Sequence, residues 1–336
     1  MKEIEIQEML SLLATPKKIG IIPHRNPDGD AIGSTLALCH FLKKLNHFPI
    51  IVAPNEFPEF LSWLPGANEI VFFEKDKKYT TEILQNCELI FTLDFNALHR
   101  VGDLEPVLQK LEIPFVMIDH HQKPDAYAAI TFSDTQYGST CQMVYHFIEY
   151  LGHKNLIDKT IATCIYVGIV TDSGSFRFPK TTSLTHQIVA ELISLGVENT
   201  KIHSLLFENN SYNSLQLLGK ALQNMQIIAK QNTAYITLTQ EELDRFNFVK
   251  GDTEGLVNYG LSIKGIKFAA IFIENKADNM IKISFRSKGE FDVNQFARKH
   301  FEGGGHINAA GGKSDLTLVE TVKKFQTILT TINIDS

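Results

Sequence analysis

Cysteine is scarce in this chain: Cys39, Cys87, Cys141 and Cys164 are spread over 336 residues with no CxxC pair. That argues against a disulfide framework or a thiolate metal cluster, and the four read as small core residues in a reducing compartment. Long apolar runs are missing too; none approaches the roughly 20 residues that span a bilayer. Positive charge is not in excess, with 32 Lys and Arg against 38 Asp and Glu and a net charge of −6. A broad basic face for long nucleic acid is therefore not expected, because phosphate backbones demand clustered cations. A small phosphorylated ligand held by a few local arginines stays compatible with this balance. The opening MKEIEIQEMLSLLATPKK lacks the basic start and cleavage site of a secretory signal, and its Ile6, Met9, Leu10 and Leu13 fall at helical spacing. There is no internal repeat and no low-complexity tract. With 44% apolar and 21% charged residues, a cytoplasmic globular protein with no membrane partner is expected, long enough for two domains.

From Ile19 to about Asp134, short apolar runs alternate with helical patterns. KIGIIPH, FPIIVAP, NEIVFFE, CELIFTLD and IPFVMIDH read as buried strands. AIGSTLALCHFLKKLN between the first two reads as a helix, with Asp30 in position to cap it. The alternation predicts an α/β fold whose N-terminal, mostly parallel sheet carries helices on both faces. Helical patterns follow in GSTCQMVYHFIEYLG, DKTIATCIYVGIVTD and SLTHQIVAELISLG. SYNSLQLLGKALQNMQIIAK reads as a helical bridge and not a core element. TAYITLT, KFAAIFIE and MIKISFRS then read as strands of a smaller C-terminal α/β domain. The expected organisation is a catalytic domain over residues 1–198, a helical linker over 199–230 and a second domain over 231–336.

What is abundant, and clustered, is Asp and His at strand ends. His24, Asp28 and Asp30 follow KIGIIP in the stretch HRNPDGD; Asp94 ends CELIFTLD; Asp119, His120 and His121 follow IPFVMI. In a parallel sheet all of these fall at the carboxyl edge, where open α/β sheets form their ligand crevice. Asp172, where a helix runs into SGSFRF, can reach the same edge. PDGD by itself is most often only a turn. Two such clusters after two strands are a different matter, since crowded carboxylates repel and burial drives one toward protonation. A cation resolves the conflict. Oxygen ligands mixed with imidazole suit a divalent ion, Mn²⁺ first, with Mg²⁺ or Co²⁺ as alternatives. Five aspartates are too many for one ion and suit two, an arrangement that serves phosphate ester hydrolysis.

HRNPDGD, LDFN, IDHH and the Asp172 of VTDSGSFRF resemble, in order, the four motifs of the DHH phosphoesterase superfamily. FEGGGHINAAGG, with SFRS upstream, resembles its DHH-associated C-terminal domain, so the resemblance runs from about Ile19 to Lys313. It implies that His24 and Asp28 hold one metal, that Asp30, His120 and Asp172 hold the other, and that Asp94 bridges them. It implies that Asp119 orients an imidazole and that His121 faces the substrate phosphate. Arg100, in NALHRVGD, is then a phosphate ligand or else a solvated surface arginine. In the second domain, Arg286 and His306 look like nucleotide or phosphate contacts, and Asn258 in EGLVNYG matches a position used near the substrate. Gly303, Gly304 and Gly305 offer backbone N–H groups without side chains, able to approach a phosphate or base closely. One departure is visible: relatives often carry a further glycine where this chain has Glu302, which could trim the pocket or repel a longer anionic substrate.

The family's long processive exonucleases, membrane-bound cyclic-dinucleotide phosphodiesterases and pyrophosphatases carry modules or C-terminal domains not seen here. The resemblance therefore implies a Mn²⁺-dependent phosphoesterase acting on short RNA oligonucleotides (nano-RNA) and small nucleotides. It would release mononucleotides and remove the 3′-phosphate of 3′-phosphoadenosine 5′-phosphate (pAp). The alternatives are a soluble phosphodiesterase for cyclic di-AMP or pApA, and a nucleotide-binding regulator without catalysis. A homodimer is left open.

Overall fold

The structure, a computed structural model, describes residues 3–208, 210–332 and 334. The chain divides into two compact units, residues 1–209 and 210–336.

In the first unit the amphipathic helix α1 (Glu3–Leu12) precedes β1 (Lys18–Pro23), α2 (Gly29–Lys44), β2 (Phe48–Ala53) and β3 (Val71–Phe72). Then come α3 (Lys77–Gln85), β4 (Leu89–Leu93), α4 (Glu105–Leu108), β5 (Phe115–Asp119) and β6 (Ile130–Ser133). Four helices close the unit: α5 (Thr140–Tyr150), α6 (Lys159–Asp172), α7 (Ser183–Ser194) and α8 (Asn199–Phe207). The six strands pair in the order β3-β2-β1-β4-β5-β6, every pair parallel. The chain winds outward from β1 in one direction and then from β4 in the other, so the switch point lies between these two strands, where such sheets bind ligands. Pro23 is in register with Leu93, and Leu93 with Ile118, which sets His24, Asp94 and Asp119 side by side at one sheet edge. The parallel α/β expectation holds; the edge strand β6 was not among the strands read from the sequence, because its alternation runs over four residues only, ITFS.

Both faces of this sheet are covered by separate apolar clusters, as an all-parallel sheet requires. Helix α2 is buried nearly all round and lies against α6. The two can approach because they meet at glycines: a Cβ on Gly33 would lie 2.6 Å from the Cys164 carbonyl oxygen, and one on Gly168 2.6 Å from Asp30 Oδ1. One expectation is corrected here. Asp28, not Asp30, caps α2: its Oδ1 accepts the N–H groups of Asp30 (3.0 Å) and Ala31 (3.1 Å). Asp28 has extended backbone, as a cap requires, whereas Asp30 is already within the first turn. That leaves the Asp30 carboxylate to find partners elsewhere.

The second unit holds α9 (Tyr212–Gln223), β7 (Gln226–Ile228), β8 (Thr233–Leu238), α10 (Gln240–Arg245) and α11 (Leu256–Ser262). It continues with β9 (Phe268–Asn275), β10 (Met280–Ser287), α12 (Val293–His300), β11 (Gly304–His306), β12 (Ala309–Ser314) and α13 (Leu318–Leu329). Its mixed sheet has the order β11-β12-β10-β9-β8-β7, in which only β8 and β9 run parallel. A phenylalanine-rich cluster under α12 and α13 covers one face; α9, α10 and α11 cover the other. The segment read as a bridge is therefore more than that. Leu217 and Ala221 of α9 are fully buried against Ile236 and Leu238, and the helix gives way to the edge strand β7. Its apolar stripe needs a surface to cover, and the back of this sheet supplies one. No helix among the described residues is long and apolar enough to cross a membrane.

Candidate metal centre

The loop after β1 turns sharply at Asn26, which takes a left-handed conformation (φ 55°) and is held by Asn55: its N–H donates to Asn55 Oδ1 at 2.7 Å. This turn directs His24 inward. Nδ1 of His24 donates to the Arg25 carbonyl at 2.8 Å, which fixes the tautomer and aims Nε2 at Asp94 Oδ2 (3.5 Å) and Asp28 Oδ1 (4.0 Å). Asp94 follows β4 with φ of 65°, an uncommon conformation for a residue with a side chain. It turns the carboxylate back across the sheet edge, so that Oδ1 lies 3.4 Å from His120 Nε2.

His120 follows β5 and is likewise fixed through Nδ1, which donates to the Tyr137 carbonyl at 3.3 Å. Its Nε2 stands 3.4 Å from Asp172 Oδ2 and 3.8 Å from Asp30 Oδ2. Two sets emerge, His24–Asp28–Asp94 and Asp30–His120–Asp172, each with ligand atoms within 4.8 Å of one another. Asp94 touches both, one oxygen toward each. The donor chemistry fits a divalent cation: hard oxygens, imidazole nitrogens already presented, and no thiolate in either set.

Asp119 is fully buried and accepts from His121 twice, from Nδ1 at 2.7 Å and from the backbone N–H at 3.1 Å. The imidazole it orients is thus that of His121, whose Nδ1 carries the proton and whose Nε2 points away from Asp119. Arg100 is half-buried nearby: its carbonyl accepts from Arg25 N–H at 2.8 Å, and its charge acts on His24.

Several contributors were invisible in the sequence. Helix α5, capped by Ser139, points its N-terminus at the site: the N–H groups of Thr140 (2.6 Å) and Cys141 (2.8 Å) donate to the two oxygens of Asp30. Thr140 Oγ1 donates to Asp94 Oδ1 at 2.9 Å. The helical pattern GSTCQMVYHFIEYLG was legible, but nothing local says which carboxylate lies beyond its start. Gly168 is a further contributor, since a Cβ there would meet Asp30 Oδ1 at 2.6 Å.

The electrostatics express the crowding. Burial works against ionised His120, but the adjacent Asp172 and Asp94 prevail and its pKa is pushed up to about 10. His24 is raised in the same way, burial opposing and Asp94 and Asp28 overcoming it. Burial pushes Asp172 up to about 7, with His120 opposing and Asp28 and Asp94 adding to the rise. Asp30 is driven well above the carboxylate range by burial and by the charges of Asp94 and Asp172. Asp94 goes the other way: despite burial, His120 and His24 hold it ionised. Without cations, protons balance the carboxylates, and a divalent ion must displace them to bind.

In the second unit, Arg286 on β10, Ala309 on β12 and His306 on β11 stand in one row of the ladder. Phe285 and Ala310, one position along, belong to the phenylalanine-rich core, so Arg286 and His306 share the opposite face. That is the face covered by α11, which carries Asn258. The glycines have other duties besides openness. A Cβ on Gly303 would lie 1.9 Å from the Gly311 carbonyl oxygen, and one on Gly305 2.4 Å from that of Ala309. Backbone packing in the β11–β12 hairpin therefore demands glycine at both. The Gly305 N–H is already bonded to Asn294 Oδ1 at 3.0 Å; a Cβ on Gly304 would meet Asn294 Oδ1 at 3.5 Å and Arg298 at 3.6 Å, ordinary van der Waals contact. Glu302 is the residue beyond the C-cap of α12, left-handed (φ 44°), with a 71% exposed side chain paired to Lys313 at 3.3 Å. A glycine at this position serves helix termination, which separates it from the loop chemistry.

The model of the DHH family, N-terminal domain, matches residues 18–169, and that of the DHHA1 domain matches residues 231–333. The bifunctional oligoribonuclease and PAP phosphatase NrnA of Bacillus subtilis is 30% identical over 295 residues, 87% of this chain and 88% of that one. Its namesake in Thermus thermophilus is 31% identical over 312 residues, 91% of this chain and 86% of that one. Among solved structures, an exopolyphosphatase-related protein from Bacteroides fragilis superposes with a TM-score of 0.93 at 37% identity, covering 98% of this chain and 96% of that one.

Proposed function

The chain belongs to the DHH family of phosphoesterases, and from that premise we propose that it hydrolyses short oligoribonucleotides to mononucleotides and removes the 3′-phosphate of pAp. The observation that carries this reading is Asp94, reaching with one carboxylate oxygen toward each of two imidazole–carboxylate sets. The relatives named as oligoribonuclease and PAP phosphatase cover nearly the whole chain and support the substrate class. Both substrates present the same bond: in each, a phosphoryl group is held on a ribose 3′ oxygen, and water replaces that oxygen at phosphorus.

In this reading His24, Asp28 and Asp94 hold one divalent ion, and Asp30, His120 and Asp172, again with Asp94, hold a second; Mn²⁺ is the ion we assign. Such ions supply neutralisation of phosphoryl charge and acidification of water. The chain's own residues do the rest. The bonds from His24 Nδ1 and His120 Nδ1 to carbonyls keep both Nε2 atoms presented without rearrangement. Asp119 fixes His121 through Nδ1–H so that Nε2, in the imidazolium form, would give its proton to the departing 3′ oxygen and be recharged by the proton that the attacking water releases. Arg100 compensates charge on the phosphoryl oxygens. Arg286, His306, Asn258 and the Gly303–Gly305 run are assigned to the nucleotide, with catalysis in the first unit (1–209) and substrate binding in the second (210–336), which takes in α9 and β7 of the segment expected as a linker. A cytoplasmic setting belongs to the same proposal.

The test is product chromatography after incubation with Mn²⁺ and, separately, pAp, pApA and cyclic di-AMP. AMP from the first two with the cyclic compound intact is expected. Asp94→Ala should abolish turnover of both substrates. Near-wild-type rates in that variant, or cyclic di-AMP consumed fastest, would refute the assignment.

A further inference from the structure

One residue outside the expected ligands contacts both carboxylates at the centre of the site. Thr140 opens α5 and is fully buried. Its N–H donates to Asp30 Oδ2 at 2.6 Å and its hydroxyl to Asp94 Oδ1 at 2.9 Å, the hydroxyl's one hydrogen bond among the described residues. Asp30 is held a second time, by the Cys141 N–H, so it keeps a partner whatever the side chain at 140. Asp94 is different. Its Oδ2 faces His24 at 3.5 Å and its Oδ1 faces His120 at 3.4 Å. The last torsion of an aspartate is soft and roughly two-fold. A hydroxyl donating to Oδ1 alone picks one rotation out of that broad well.

We infer that Thr140 is a positioning residue: its hydroxyl sets the rotation of the Asp94 carboxylate, and so the affinity for a divalent ion in the position formed by Asp30, His120 and Asp172. The inference rests on the phosphoesterase reading of this site. The opposing view is that a threonine at a helix start merely donates to the nearest acceptor, with no consequence beyond stability. Groups that bond to ligand carboxylates typically tune metal affinity by about 10- to 100-fold, so the two views are separable.

The experiment titrates metal-stripped wild type, Thr140→Val and Thr140→Ser with Mn²⁺ by calorimetry, alongside thermal melts of the metal-stripped proteins. Valine keeps the branched shape and loses the hydroxyl; serine keeps the hydroxyl and loses the methyl group. Wild type is expected to bind two ions. In Thr140→Val one of the two affinities should fall about 10-fold or more, the other should hold, and kcat should recover at high Mn²⁺. Thr140→Ser should bind like wild type. Equal affinities in wild type and Thr140→Val would overturn the inference while leaving the function intact, as would Thr140→Ser behaving like Thr140→Val, which would assign the effect to packing. Should Thr140→Val not fold, Thr140→Ala carries the same comparison. If wild type itself takes up no divalent ion, it is the reading of the site that falls.

Discussion

Replacing Gly168 by alanine tests the architecture under the site. In an exposed helix the change would stabilise by about 1 kcal/mol. Here the new Cβ would stand 2.2 Å from Cys141 Sγ, 2.6 Å from Asp30 Oδ1 and 2.8 Å from Cys141 Cβ. Ordinary contacts lie at ~3.5–4.0 Å, so α6 must retreat from α2 and α5 by roughly 1 Å. Asp30 cannot yield cheaply, because its oxygens hold the Thr140 and Cys141 N–H groups at 2.6 and 2.8 Å. Overpacking of this kind costs about 1–3 kcal/mol, at times more. With all three contacts under 3 Å the upper figure of about 3 kcal/mol applies, and set against the helix gain of about 1 kcal/mol the expected net loss is about 2 kcal/mol. That is a shift near 1 M in urea midpoint for a slope of about 2 kcal/mol per M. The chain's one tryptophan, Trp63, packs against the first unit's core, so its fluorescence reports this unit and not the other. Mn²⁺ affinity should fall as well, since the clash falls on Asp30, a carboxylate assigned to the metal in the proposed function. Adding Cys141→Ala removes the Sγ overlap but not the one with Asp30, so it should return about half of the lost stability and little of the affinity. Gly168→Ala with wild-type midpoint and wild-type metal binding would refute the packing of α6 on α2 and α5.

The titrations predict a pH dependence for metal-stripped protein. His120, raised from 6.5 to about 10, contributes stability that is complete below 6.5 and fades as pH climbs through about 10. Asp172, raised from 3.8 to about 7, takes up its proton more readily folded than unfolded, so stability also declines across 3.8 to 7. The melting temperature in chelator should therefore fall between pH 6 and 9, and saturating Mn²⁺ should remove the decline; a rise in chelator over that range would contradict these assignments. Glu302→Gly relieves a left-handed non-glycine at the end of α12 and loses an exposed ion pair with Lys313. A gain of roughly 0.5 kcal/mol with unchanged preference for substrate length is expected, and altered length preference would return Glu302 to the pocket.

Much of this was written locally. The apolar runs KIGIIP, CELIFTL and IPFVMID were strands because their continuous β-branched and aromatic residues suit a sheet buried on both faces, whereas NEIVFFE, read as a buried strand, supplies only the half-buried pair Val71–Phe72 at the sheet edge. The Asp and His residues after them had to fall at one edge, because parallel strands all end there. So His24, Asp94, Asp119, His120 and His121 were legible as neighbours before any coordinates. Local signals reach about one helical turn or one strand. They marked a cap at the start of α2 but did not separate Asp28, which bonds the next turn, from Asp30, which bonds another helix. They showed glycines in FEGGGHINAAGG without saying that Gly303 and Gly305 answer to the backbone of β12. They gave no hint that Gly168 and Thr140, in different helices, meet the same aspartate. Sequence fixes which groups stand at the ends of elements, since period and propensity act between near neighbours. Which oxygen of Asp94 faces which imidazole, and what holds it there, depends on helices brought together by the fold, and only the tertiary structure decides it.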